Sequence, residues 1–212
     1  MGRPIIFSGA MVCALLEGRK TMTRRIIKWN LRDPGLNLNF SGLHAVPLKT
    51  NGTPIGTWTL DSRGQGGCWE ERGTVKTYAP GDRLYVRESF RPSDMAPAQT
   101  IYRADVKPEA IGPWTPSIHM PRARSRITLT VEAVKVERLQ DISGMDAKAE
   151  GVSIPAHMPQ DGADLDWARL EFQKLWQSLN AKRAPWDSNP WVVAVSFSII
   201  KENIDSLKSE AA

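Results

Sequence analysis

"LLEGRKTMTRR", residues 15–25, passes from an apolar run into four cations and two threonines within a few positions. Just upstream, "RPIIFS" (3–8) has the composition of a short buried strand. Ser8 then stands where an N-cap belongs, before Met11, Val12, Leu15 and Leu16 at helical spacing. Gly18 follows the last helical residues in the position where a left-handed residue ends a helix. Downstream, "TMTRRIIK" (21–28) is rich in β-branched and long side chains and reads as a strand. The spacing therefore predicts a helix-to-strand junction with Arg19 and Lys20 in the turn. Side chains alternate along a strand, so Lys20 and Thr23 can share a site only if Lys20 belongs to the turn.

The rest of the composition sets bounds. The chain has 212 residues, 41% of them hydrophobic, with eight tryptophans, enough for the core of one domain of ordinary size. A formal net charge of +5 favours anionic partners such as nucleic acid. Cys13 and Cys68 stand far apart without the neighbours of a Cys/His site, which argues against a structural zinc or a disulfide framework and for a reducing cytoplasm. No metal or cofactor is expected. The apolar patch near the start is broken by Glu17 and falls far short of the roughly 20 residues of a membrane span. A cytoplasmic, soluble protein with no membrane partner is the expectation.

Residues 29–79 differ in kind, holding eight of the sixteen glycines and little periodicity apart from short strands at "GTWTL" (56–60) and "VKTY" (75–78). They read as an insertion after the second strand, a hairpin or partly mobile flap. "PGDRLYVRESF" (80–90) is a turn delivering a strand, and "QTIYRAD" (99–105) a second strand that pairs nearby. "WTPSIHMP" (114–121) is a rigid loop. Ile127, Leu129, Val131, Val134 and Val136 then mark a long strand that stays on one face only if a bulge falls near Glu132 or Ala133. "SGMDAKAEG" (143–151) is a short helix capped by Ser143 and ended by Gly151. Trp167, Leu170, Leu175 and Trp176 mark a longer amphipathic helix, "NPWVVAVSFSII" (189–200) a final strand, and residues 203–212 a flexible tail. Strands outnumber helices and no βα unit repeats, which predicts an α+β fold, a small closed mixed barrel flanked by helices.

Several of these stretches carry a family likeness. "LLEGRKTMTRR" resembles the signature of the ASCH superfamily, PUA-like barrel domains in which a helix ends in G-x-K-T and the next strand carries T-x-R. "APGDRLYVRE" (79–88), "PSIHMPRARSRITL" (116–129), "VERLQDIS" (136–143), "DAKAEGV" (146–152) and "WVVAVSFSII" (191–200) extend the likeness to the longer members found in phages and prophages. It covers the chain outside 29–79. The superfamily is associated with RNA binding, with nuclease activity in some members, and with an amidohydrolase that deacetylates N(4)-acetylcytidine. That amidohydrolase uses a lysine, a threonine and a glutamate; the resemblance puts them on Lys20, Thr23 and Glu150, with the following arginine on Arg25. The insertion and the Pro-rich loop depart from the pattern.

The residues themselves admit both a chemical and a plain reading. A lysine serves as a base when burial or neighbouring cations lower its pKa, and Arg19, Arg24 and Arg25 lie close by; Thr23 is a candidate nucleophile and the arginines candidate anion clamps. Equally, cations after a helix C-terminus are favoured without any chemistry. Arg87, Glu88 and His119 are further candidates for substrate contact, and Tyr102, Trp114 and Trp191 for stacking on a base. Arg122, Arg124 and Arg126 alternate in "PRARSR" (121–126) and would line one face of an extended segment. Three functions follow: an amidohydrolase on a modified nucleoside built on Lys20, Thr23 and Glu150; an RNA-binding module without chemistry; or a metal-assisted ribonuclease using Glu88 and Glu150.

Overall fold

A computed structural model describes residues 2–64, 66–93, 99–106, 112–159 and 161–207. In chain order the elements are β1 (Arg3–Ile6), α1 (Gly9–Leu16), β2 (Met22–Ile26), β3 (Asn30–Leu31), β4 (His44–Thr50), β5 (Thr53–Arg63) and β6 (Trp69–Lys76). β7 (Arg83–Arg87), β8 (Phe90–Pro92), β9 (Thr100–Tyr102), β10 (Thr128–Arg138), α2 (Gly144–Ala149), α3 (Ala163–Asn180) and β11 (Trp191–Ile200) follow. The fold is mixed α+β, with strands in three sheets. None of the described helices is long and apolar enough to cross a membrane.

Five strands in the order β1-β7-β10-β11-β2 form the main sheet; β1 runs parallel to β7 and the other pairs are antiparallel. Its spine is β10 against β11, where Leu129, Val131, Val193, Val195 and Phe197 are buried, with Ile127 buried just ahead of β10. The β10 register shifts between Val131 and Ala133, so the extra residue is Glu132, and the bulge keeps the apolar side chains on one face as the alternation demanded. Closure is where expectation and structure part. The described strands make no closed barrel, because no ladder joins the outer strands β1 and β2. Those edges are linked instead by a side chain, the Arg25 guanidinium donating to the Ile6 carbonyl at 2.6 Å.

Residues 29–79 form neither a flap nor a single hairpin. They build a second antiparallel sheet, β3-β6-β5-β4. Trp58 and Leu60, on one face of β5, are buried in the same cluster as Leu84, Leu129 and Val195 of the main sheet. The glycine-rich composition hid this because only a few alternating side chains per strand anchor the segment. The 203–212 stretch is likewise anchored as far as it is described: Ile204 is buried, Asn203 donates to the carbonyls of Arg122 and Ser125, and Asp205 pairs with Arg122. Residues 208–212 lie outside the described residues. "PRARSR" is not extended either, since Arg122–Arg124 make a 3-10 turn that scatters the three guanidiniums.

α3 packs Phe172 and Trp176 against Leu139, Ile142, Ala147 and Val192, a second small core that fixes α2 and the helix beside β2. Both β2 and α2 thereby come to one end of the sheet.

Candidate functional site

The junction after α1 closes as a Schellman turn. Gly18 adopts φ +75°, its amide donates to the Leu15 carbonyl at 3.0 Å, and that of Arg19 to the Ala14 carbonyl at 2.9 Å. Lys20 therefore leaves the helix before β2 begins, in the turn, as the alternation argument required. α2 ends in a matching way. Ser143 caps it by accepting from the Asp146 amide, Glu150 is its C-cap residue, and Gly151 turns with φ +85°. The two ends meet in a single antiparallel bridge between Lys20 and Glu150, extended by the Thr21 amide donating to the Ala149 carbonyl at 2.8 Å. A Cβ on Gly151 would come within 2.8 Å of the Lys20 Cβ. Only glycine permits both this backbone conformation and this approach.

The bridge brings a lysine and a glutamate 130 positions apart into contact inside the protein. The Lys20 side chain is 0% exposed; its Nζ donates to Glu150 Oε2 at 2.8 Å and to the Glu150 carbonyl at 2.9 Å. The other carboxylate oxygen of Glu150 accepts from Arg24 Nη1 at 3.3 Å. Arg24, also 0% exposed in its side chain, reaches onward to Glu137 Oε1 and Asp146 Oδ2, both at 2.7 Å, and Lys135 pairs with those two carboxylates from the surface side. Three cations thus face three carboxylates, which is how charges survive away from water. Burial pushes the Lys20 pKa down; the charge and hydrogen bond of Glu150 pull it up, Arg25 and Arg24 push it down again, and the balance lies below the ordinary lysine value. Burial raises Asp146, but the hydrogen bonds and charges of Lys135 and Arg24 outweigh it and hold that carboxyl below its usual range.

A cavity of about 330 Å³ opens beside this cluster. Its polar wall is Thr23, Arg24 and Arg25 of β2 with Glu150, and its apolar wall is Phe172, Leu175, Trp176 and Leu179 of α3. The size suits one small organic ligand. Thr23 is 3% exposed and its hydroxyl has no hydrogen-bond partner among the described residues. Lys20 itself does not line the cavity; it touches the polar wall through Glu150. Arg25 spans the sheet edges, with its guanidinium 5.1 Å from the Phe7 ring centre, and burial lowers its pKa.

The remaining residues singled out in the sequence lie elsewhere. Arg19 pairs with Glu17 and donates to the Gly151 carbonyl at 2.8 Å, so it braces the α2 turn from outside the cavity. Arg87 donates to the carbonyls of Met120 and Ile118 and pins the Pro-rich loop, on which His119 is exposed. Glu88 is buried under a two-pronged contact from Arg126, at 2.9 and 3.1 Å, and burial raises its pKa; it belongs to this separate cluster with Asp105 and not to the cavity beside Glu150. Arg122 is paired with Asp205, leaving little of the supposed basic stripe. The Tyr102 ring lies 3.9 Å below the Arg126 guanidinium, Trp114 has Arg91 and Arg103 at 4.8 and 5.4 Å, and Trp191 packs edge-on to Trp29 in the core. Those rings serve the protein's own cations and core.

Sequence reading named Arg24 only as a cation beside Lys20 and a candidate anion clamp, and it missed the carboxylates Glu137 and Asp146 that enclose it. One signal was present, since Asp146 and Glu150 stand four apart on α2 and so share a face. The partners of that face come from β2 and β10, which no local spacing joins. The chain matches no family model, no curated protein and no solved structure.

Proposed function

We propose that the cavity is a hydrolytic site for an N-acylated cytidine, with N(4)-acetylcytidine as the substrate and an ASCH-type, PUA-like domain as the scaffold. The observation that carries this reading is the buried Lys20–Glu150 pair behind a cavity whose wall holds the unpartnered Thr23 hydroxyl. Two of the three positions on Lys20 Nζ donate to Glu150, which leaves the third, a lone pair when the amine is neutral, to accept a proton. In the proposed reaction the Thr23 side chain turns from its unpartnered position to reach Lys20 Nζ, which takes its proton as the hydroxyl oxygen attacks the acetyl carbonyl. The carbon–nitrogen bond then breaks, the exocyclic nitrogen leaves with that proton as the amine of cytidine, and water releases acetate from Thr23. Burial and the neighbouring arginines favour the neutral amine that this first step needs. Arg25, also in the wall, is suited to the substrate's oxygen atoms.

The test is release of cytidine from N(4)-acetylcytidine by the purified protein. Turnover is expected, reduced at least about a hundredfold in Lys20→Ala and abolished in Thr23→Val. Absence of turnover by the wild type, or full turnover by Thr23→Val, removes the proposal.

A further inference from the structure

Arg183 has no part in the hydrolytic reading, yet it lines the same cavity. It is exposed, just past the end of α3, and its guanidinium has no ion pair or hydrogen bond among the described residues. A cation after a helix C-terminus can serve merely to cap the last carbonyls. Here the Arg183 guanidinium bonds none of them among the described residues, while the Asn180 carbonyl accepts from the amides of Arg183 and Ala184 and that of Gln177 from Ala181. The guanidinium is left facing the cavity with nothing of the protein to hold.

A second wall points the same way. Ser8 and Met11 bring the start of α1 to the cavity, and that first turn carries no acidic residue. Ser8 caps only the Met11 amide, at 3.5 Å; the amides of Gly9 and Ala10 have no acceptor among the described residues. Such amides and the helix dipole favour an anion. The buried Thr23 hydroxyl, also without a partner among the described residues, opens into the same space and marks the acyl end of the ligand, away from the phosphate. Glu150 is the one carboxylate in the wall, and Lys20 and Arg24 already answer its charge. Arg25 and Arg183, both positive, make no ion pair among the described residues.

We propose that the cavity binds a phosphate together with the nucleoside, so that its ligand is a cytidine mononucleotide, the phosphate being shared by Arg183, Arg25 and the start of α1. The base part rests on the nucleoside reading given above; the anion part rests on the charge of the walls. A phosphate brings several acceptor oxygens and a double charge, which suit a guanidinium fork and free amides better than a ribose hydroxyl does.

Calorimetric titration of the whole protein with cytidine, its 5′- and 3′-monophosphates, and inorganic phosphate tests the idea without requiring turnover. One of the monophosphates is expected to bind at least about tenfold more tightly than cytidine, an advantage that falls below about threefold in Arg183→Ala and lies between in Arg183→Lys. Arg183 is exposed, and a melting curve checks that the variants fold. Equal affinity for cytidine and both monophosphates overturns the phosphate proposal and leaves the nucleoside reading standing. A monophosphate that binds no better than inorganic phosphate overturns the nucleotide assignment through its nucleoside half. An advantage undiminished in Arg183→Ala overturns the location.

Discussion

Lys20 loses its proton more easily in the folded protein than in the unfolded chain, first because it is buried and despite the pull of Glu150. Between the lowered pKa and the ordinary value of 10.5 the unfolded chain therefore holds the extra proton, and stability rises with pH across that window. Below the window the folded protein carries the full cost of a buried ammonium; above it both states are neutral and the cost is gone. Urea unfolding of wild type and Lys20→Met, followed from neutral pH upward, should show the difference between them moving in the wild type's favour. A difference that stays flat with pH would mean that Lys20 keeps an ordinary pKa. The residue types at 20, 23 and 150 were legible in the sequence. That Lys20 is buried against Glu150, and Arg24 enclosed by three carboxylates, was not, because a run of adjacent cations looks the same whether it is solvated or enclosed.

At the scale of elements, the site depends on two helix ends that stop in register with one another. α1 stops at Gly18 and α2 at Gly151, both with positive φ, but their surroundings differ. An added methyl at Gly18 meets nothing within 4 Å, so Gly18→Ala should cost only the conformational penalty, about 1 kcal/mol. At Gly151 the same methyl adds contacts of 2.8 Å to the Lys20 Cβ and 3.1 Å to the Ala14 Cβ. Gly151→Ala should therefore cost roughly 2–4 kcal/mol and displace Lys20 from Glu150. Thermal unfolding of the two variants distinguishes them; equal losses would show that the close approach at Gly151 carries no weight. The punctuation itself, Ser8 and Ser143 as caps and the two glycines as stops, was readable from local chemistry. That the two stops face each other was not, since it follows from α3 pinning α2 beside β2.

Over the whole molecule, the second sheet shares its apolar interior with the first. Trp58 of β5 is 6% exposed and belongs to the cluster that contains Leu129 and Val195. Trp58→Ala should then destabilise both sheets together, by about 3–5 kcal/mol, in one cooperative transition. Hydrogen exchange checks this through amides in β5 and β10, which should lose protection in step. If β5 alone loosens while β10 keeps its protection, residues 29–79 are an appendage after all.

By itself, the chain's order of residues determined what local chemistry controls: where helices start and stop, which strands alternate, where β10 must bulge, and that Lys20 stands in a turn. Only the tertiary structure decided that the main sheet stays open and is latched by Arg25, that the glycine-rich insertion folds onto the core, and that Glu88 and Glu150 sit in separate charge clusters. The physical reason is range. Caps, turns and pleats are settled by neighbours a few residues away, whereas burial of a charge is settled by partners such as Lys20 and Glu150, which sequence spacing does not connect and packing does.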